Sequence, residues 1–323
     1  MRTRSEAYFL QLFESATLRG AAEAAARSEL STIGQTAIPI DVYSLAKQKG
    51  FTILEDLEGA ACDEGQLLPI RGGYRVRLRR AVTDARKRFS LAHEIGHSYF
   101  YRDEGEGPRH VIGILNGAER GAEERICNLF AGTLLMPSRD LRKSLHGVPL
   151  DSAPSIISAL QQTATAFRVS IPALLMRISD LELEWPSCLL VCSSFRPNPK
   201  THMDPKLRIE FSVGLGDWSS RRFWNATPVA DANIASAASL YEMWKTHTPD
   251  SESGQFTASE ACLNRNSLPP ELQEPGVVMS RKVMGLWKRE AILCISSSTL
   301  YTWKHDENKP NAYVVTAILP ARG

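Results

Sequence analysis

Residues Arg88-Phe89-Ser90-Leu91-Ala92-His93-Glu94-Ile95-Gly96-His97-Ser98-Tyr99-Phe100 decide how the rest of the chain is read, because they carry an H-E-x-x-H pattern on a helical one. Residues four apart share a helix face, so His93 and His97 aim two imidazole nitrogens at one point. A zinc ion accepts that arrangement, with nitrogen ligands at about 2.0–2.1 Å. Glu94 is offset just enough to address a metal-bound water. Phe89, Ala92, Ile95 and Tyr99 form an apolar stripe on the opposite face, which anchors the helix in a core. The bland alternative is a pair of hydrogen-bonded structural histidines beside a solvated glutamate; the helical context favours the metal site.

A catalytic zinc needs a third protein ligand and an open position. A second helix is expected from about Ala118 to Met136, stopped by Pro137, with Ile126, Leu129, Phe130, Thr133 and Leu134 as its buried stripe. Glu124 sits beside that stripe and is the first choice for the third ligand, with Glu123 as runner-up. Either is otherwise a surface charge, the usual fate of Glu on a helix. Asn128, one turn on from Glu124, is placed to hydrogen-bond behind the ligands. Cys127 lies nearly opposite Glu124 and reads as a buried thiol. Tyr101, Tyr99 and His110 are within reach as oxyanion stabilisers or supporting groups; Tyr99 also reads as core, and His110 as a loop histidine.

Outward from these helices, Pro39 and Asp41 open a helix that runs to Lys49 and is broken by Gly50. Phe51–Leu54, Gln66–Arg71 and Tyr74–Leu78 read as strands, the last two joined across Gly72 and Gly73, which suggests a small antiparallel sheet. Upstream, Tyr8, Phe9, Leu12, Phe13, Ala16 and Leu18 recur at helical intervals, so one amphipathic helix is expected, docked on the body of the protein or on a partner. Downstream, Ser155–Phe167 and Ile171–Leu183 are helical, separated by Arg168, Val169 and Ser170. After Trp185 the texture turns to short β-like runs, Leu189–Ser193, Leu207–Val213, Ala291–Ile295 and Tyr313–Leu319, with polar connections such as Thr248–Gly254.

The expected fold class is therefore α+β. Residues 1–30 form an N-terminal amphipathic helix, 31–149 a metal-binding core, 150–184 a helical segment, and 185–323 a second α+β domain. With 323 residues, 43% apolar and 23% charged, the chain is long enough for folded domains throughout. A net charge of +2 is too small to be an electrostatic footprint for nucleic acid. Cys62, Cys127, Cys188, Cys192, Cys262 and Cys294 are scattered and read as free thiols in a reducing compartment. Arg2 and Arg4 are followed by no apolar run of signal-peptide or membrane-spanning length, so a cytoplasmic protein with no membrane partner is expected.

The run from Arg88 to His97, joined to Asn128-Leu129-Phe130-Ala131 and Leu134-Leu135-Met136-Pro137, resembles the ImmA/IrrE family of zinc metallo-endopeptidases over roughly residues 35–183. The resemblance implies a zincin-like, gluzincin-type peptidase core: zinc on His93, His97 and Glu124, with Glu94 as the catalytic glutamate. It implies a protein substrate, a helix-turn-helix repressor, whose cleavage releases mobile-element or DNA-damage-response genes. Cys127, where the family tends to have Ala, and Ile126, where a polar residue is common, depart from the pattern at positions that bind no metal. Residues Ala166 to Arg177 are similar to the family's helix-turn-helix-like region, so direct DNA binding is a further expectation, although basic residues for phosphate contacts are few. Longer, radiation-resistance-type members carry a GAF-like sensory domain at the place of residues 185–323.

Overall fold

In the computed structural model, described over residues 2–34, 37–57, 65–80, 82–103, 105, 107–147, 152–181, 185–196, 206–219, 279–283, 292–306 and 309–320, the chain divides into two units. One is Met1–Ser144 with Thr163–Leu181, the other Leu145–Gln162 with Glu182–Gly323.

The first unit opens with two helices, α1 (Arg4–Leu12) and α2 (Leu18–Thr32), where the apolar periodicity predicts one. The break has local causes. Glu14 takes a left-handed φ of 49°, and Thr17 caps α2 by accepting the Gly20 amide at 3.1 Å. At the start of α1, Thr3 and Glu6 form a reciprocal capping box. Both helices dock on their own unit. The α2 face is Ala21, Ala22, Ala25 and Ala26, all buried, and small side chains let this helix lie close against the long helix α5 (Gly117–Leu135).

Next come α3 (Val42–Gln48), capped by Asp41, and the strands β1 (Phe51–Leu57), β2 (Gly65–Ile70) and β3 (Gly73–Arg79). The sheet is mixed, which corrects the antiparallel expectation: the order is β1-β3-β2, with β2 antiparallel to β3 and β1 parallel to it. The Gly72–Gly73 hairpin dictates only the β2–β3 pairing. Strand β3 takes the centre because Val76 and Leu78 are fully buried, while β1, with Glu55 and Asp56, and β2, with Pro69, suit the edges.

Helix α4 (Asp84–Ser98) packs on this sheet and against α5, and β4 (Tyr101–Asp103) pairs with β5 (Pro108–His110) between the two helices. Its buried residues include Leu91, Ala92, Ile95 and Gly96, whereas Phe89, assigned to the stripe from sequence, is half-buried. Helix α6 (Ser138–Leu145) follows. Helices α7 (Ala153–Phe167) and α8 (Ile171–Asp180) are joined by the expected three residues; Arg168, at φ 53°, ends α7 in the left-handed region, and Ser170 caps α8.

Besides the α7 residues up to Gln162, the described part of the second unit holds a five-stranded antiparallel sheet in the order β7-β6-β10-β9-β8. Its strands are β6 (Cys188–Arg196), β7 (Lys206–Leu215), β8 (Met279–Val283), β9 (Ile292–Asp306) and β10 (Lys309–Pro320); β8 has no counterpart in the sequence reading. Leu189, Leu190, Val191 and Cys192 are all fully buried, so both faces of β6 are covered. Cys127, Cys188 and Cys192 are free and buried, and burial pushes the Cys188 thiol up to about 12. Cys62, Cys262 and the Thr248–Gly254 connection lie outside the described residues, as does the Cys294 side chain. Among the described residues, no helix is long and apolar enough to cross a membrane.

Candidate metal centre

The site exists because α4 and α5 cross closely, and the crossing depends on Gly96. A Cβ on Gly96 would lie 3.2 Å from Cys127 Cα, 3.2 Å from a Phe130 ring carbon and 3.3 Å from Cys127 Cβ, inside ordinary carbon contact. With no side chain there, the α5 residues on either side of Cys127 reach the α4 histidines. Ligand atoms of His93, His97 and Glu124 all lie within 4.8 Å of one another. The two Nε2 atoms are 3.1 Å apart; Glu124 Oε2 is 3.1 Å from that of His93, and Oε1 is 3.6 Å from that of His97.

The remaining ring nitrogens are already engaged. His93 Nδ1 is 3.0 Å from Asn128 Oδ1, and His97 Nδ1 is 2.7 Å from Glu123 Oε1. With the Asn128 oxygen turned to His93, both partners are acceptors, so Nδ1 of each ring carries the proton and each Nε2 presents a lone pair. Two imidazole lone pairs and a carboxylate then converge on one small volume, which is repulsive unless a cation fills it. Two nitrogens and one oxygen are the donor set of a His₂Glu zinc site, so these residues fit the expected metal.

The charges point the same way. Burial disfavours the charged form of His97, but Glu123, Glu94 and Glu124 together outweigh it and raise its affinity for a proton. The His93 imidazole beside it holds the Glu124 carboxyl below its ordinary range, against the desolvation of a half-exposed group. Burial pushes the Glu94 carboxyl up, only partly offset by His97 and His93. Glu94 is 5% exposed and accepts a backbone hydrogen bond from Leu67 on the edge strand β2. Gly65, on the same strand, leaves room for it: a Cβ there would stand 2.7 Å from Glu94 Oε1.

Glu123, runner-up for third ligand, is buried behind His97 and joins it to His110, whose Nε2 is 2.9 Å from Glu123 Oε2. The Ile112 amide donates to His110 Nδ1 at 3.2 Å, so both ring nitrogens of His110 are taken and it supports the site from behind. Tyr101 packs edge-on to His110 and carries no hydrogen bond on its hydroxyl among the described residues; burial, then Glu123 and Glu94, push that hydroxyl up and keep it protonated. Tyr99 lies outside the group, in the core, where its hydroxyl donates to Glu29. Sequence reasoning did not find Gly65 or Gly96 as builders of the site. Gly96, flanked by Ile95 and His97 within a helix, was the available signal for a close crossing.

Residues 47–179 match the model of the M78 peptidase family, described as the IrrE N-terminal-like domain. A search of the curated proteins gives no match. Among solved structures, a Mycobacterium tuberculosis transcriptional regulator aligns over 97% of this chain and 92% of its own, at 10% sequence identity and a TM-score of 0.49, a likeness too low to assign a shared fold.

Proposed function

We propose that the IrrE N-terminal-like domain of residues 47–179 is a zinc-dependent endopeptidase, with His93, His97 and Glu124 as metal ligands and Glu94 as the catalytic base. The observation that carries this reading is the convergence of two imidazole lone pairs and the Glu124 carboxylate beside the buried carboxyl of Glu94. Zinc held there supplies a Lewis acid that polarises a carbonyl and acidifies water. Glu94 takes the proton of the attacking water and delivers it to the leaving amine. Its raised proton affinity suits both transfers, since a carboxyl nearer neutrality takes and returns a proton with less free-energy cost. The Leu67 amide and the gap at Gly65 hold the carboxylate on the β2 side of the site. With His110 committed at both nitrogens, the Tyr101 hydroxyl is the donor left for the developing oxyanion.

The proposed substrate is a helix-turn-helix repressor, cleaved in the cytoplasm to release stress-response or mobile-element genes, with residues 185–323 acting as a GAF-like sensory domain and residues 150–184 as a helix-turn-helix-like segment. Glu94→Gln keeps the volume and removes the base. The variant is expected to retain stoichiometric zinc and its fold while losing cleavage of the helix-turn-helix repressor that the wild type cleaves. Full cleavage by that variant would refute the role of Glu94. The alternative function is a zinc-stabilised regulator that binds a repressor or DNA without hydrolysis. It predicts that wild-type protein with zinc leaves the repressor intact while still forming a complex with it or with its operator.

A further inference from the structure

We propose that Glu123, held by His110, is the positioning residue that fixes the metal-facing nitrogen of His97 and thereby sets how tightly the site holds zinc; this rests on the reading of His93, His97 and Glu124 as ligands. The hydrogen-bond relay runs inward from a main-chain amide. Ile112 N–H donates to His110 Nδ1 at 3.2 Å, and a nitrogen that accepts carries no proton. The proton of His110 is therefore on Nε2, which donates to Glu123 Oε2 at 2.9 Å. The other oxygen, Oε1, lies 2.7 Å from His97 Nδ1, and a carboxylate has only acceptors to offer. His97 must then be protonated on Nδ1, with its lone pair on Nε2 facing His93 Nε2 and Glu124.

Every link has one direction: the peptide N–H of Ile112 cannot be reversed and fixes His110, and the Glu123 carboxylate, which only accepts, fixes His97. His93 lacks this security: its Nδ1 rests on Asn128, a side-chain amide that presents oxygen or NH₂ by turning over. The chain is also held mechanically. The His110 ring stacks on Phe100 with 6° between planes and meets Tyr101 edge-on. Glu123 is 4% exposed, and among the described residues its only ionic partners are His97 and His110. A carboxylate buried without Lys or Arg is an unfavourable choice for a merely structural position. Its neighbour Glu124 approaches the same imidazole from the front, at Nε2, while Glu123 approaches from behind, at Nδ1. One turn of α5 thus grips both nitrogens of His97.

The test uses the full chain and zinc alone. Wild type, Glu123→Gln and His110→Phe are titrated with zinc against a chelator of known affinity, and the zinc-free wild type is studied by nitrogen NMR of its histidines. Glu123→Gln is expected to weaken zinc binding about 10–100-fold, the usual cost of losing such a partner. His110→Phe keeps the ring packing and is expected to weaken binding less, in the same direction. In the zinc-free wild type, His97 is expected to be protonated on Nδ1 and His110 on Nε2. Wild-type zinc affinity in both folded variants overturns the proposal, and so does a zinc-free His97 protonated on Nε2. If Glu123→Gln does not fold, His110→Phe and the wild-type spectrum decide. Wild-type protein that binds no stoichiometric zinc overturns the ligand set as well, and is recognised because it appears before any variant is made.

Discussion

Replacing Gly96 by Ala tests the helix crossing on which the metal centre depends. The added methyl would sit 3.2–3.3 Å from Cys127 Cα, Cys127 Cβ and a Phe130 ring carbon, two of them on or next to rigid helix backbone. Carbon atoms settle at about 3.5–4.0 Å, so α4 and α5 must part by roughly half an ångström. Overpacking of this kind costs about 1–3 kcal/mol, and the better helix propensity of Ala returns about 1 kcal/mol. The net expectation is a loss of about 0–2 kcal/mol in urea unfolding of the zinc-free protein. The matched control is Gly121→Ala on α5, where the nearest atom to an added Cβ is the end of the Arg125 side chain at 3.8 Å. That change should gain about 0.5–1 kcal/mol. The two substitutions are chemically identical, so the difference between them isolates the crossing. Because His93 and His97 ride on α4 and Glu124 on α5, the same separation should weaken zinc binding in Gly96→Ala and leave it unchanged in Gly121→Ala. If Gly96→Ala is as stabilised as the control and binds zinc as tightly as wild type, the crossing does not set the site.

At Gly65, where an added Cβ would stand 2.7 Å from Glu94 Oε1, Ala should displace the carboxylate and lower the rate of cleavage about 100-fold at unchanged zinc content; an unchanged rate would show that Glu94 works elsewhere. Arg177 is 1% exposed and holds Glu23, Ser138 and the Met136 carbonyl. Arg177→Met should destabilise the protein by about 3 kcal/mol, at the low end for a broken buried pair because the Glu23 side chain is 24% exposed, and adding Glu23→Gln should recover part of the loss in denaturant melts. The amides of Ser5 and Arg4 hold the Glu119 carboxyl down to about 2 from an ordinary 4.5. A depressed carboxyl contributes stability above its unfolded value and loses it as pH falls toward the folded one. Protection factors of the α1 amides should therefore fall between about pH 4.5 and 2, and Glu119→Gln should remove the share of that dependence that the Glu6 carboxyl, itself lowered by Thr3, does not contribute; a protection profile flat across this window in the wild type would refute it.

What the sequence disclosed follows from the range of the interactions involved. The facing of His93 and His97 is a property of one helix and its 3.6-residue turn, so the pair was legible from spacing alone. The family match over residues 47–179 agrees with the resemblance read from the two helical blocks. Choosing between Glu123 and Glu124 requires the rotation of α5 relative to α4, which is set by the contact at Gly96, and no local pattern encodes that. The same limit explains the sheet: Gly72 and Gly73 specify a hairpin, but the parallel seat of β1 beside β3 depends on which strand can bury Val76 and Leu78. Helix α6 has only Leu141 and Leu145 as apolar residues, too few to display a period, and β8 is five residues with two charges. Between α1 and α2 the apolar rhythm continues because both helices bury a stripe, so the interruption at Glu14–Thr17 is visible only in the hydroxyl and backbone chemistry of the turn.

The alanine face of α2 bears on where this protein can be cut. Similarity to the peptidase family begins at residue 47, downstream of both N-terminal helices. Yet Glu119 receives its donors from Arg4 and Ser5, the Tyr99 hydroxyl and Lys49 meet on Glu29, and Arg177 has its carboxylate in Glu23. A fragment starting at residue 47 would strand each of these groups and open the groove on α5 that the four alanines fill. The smallest piece able to fold as the metal-binding unit thus begins near residue 3, more than forty residues before the shared signature starts.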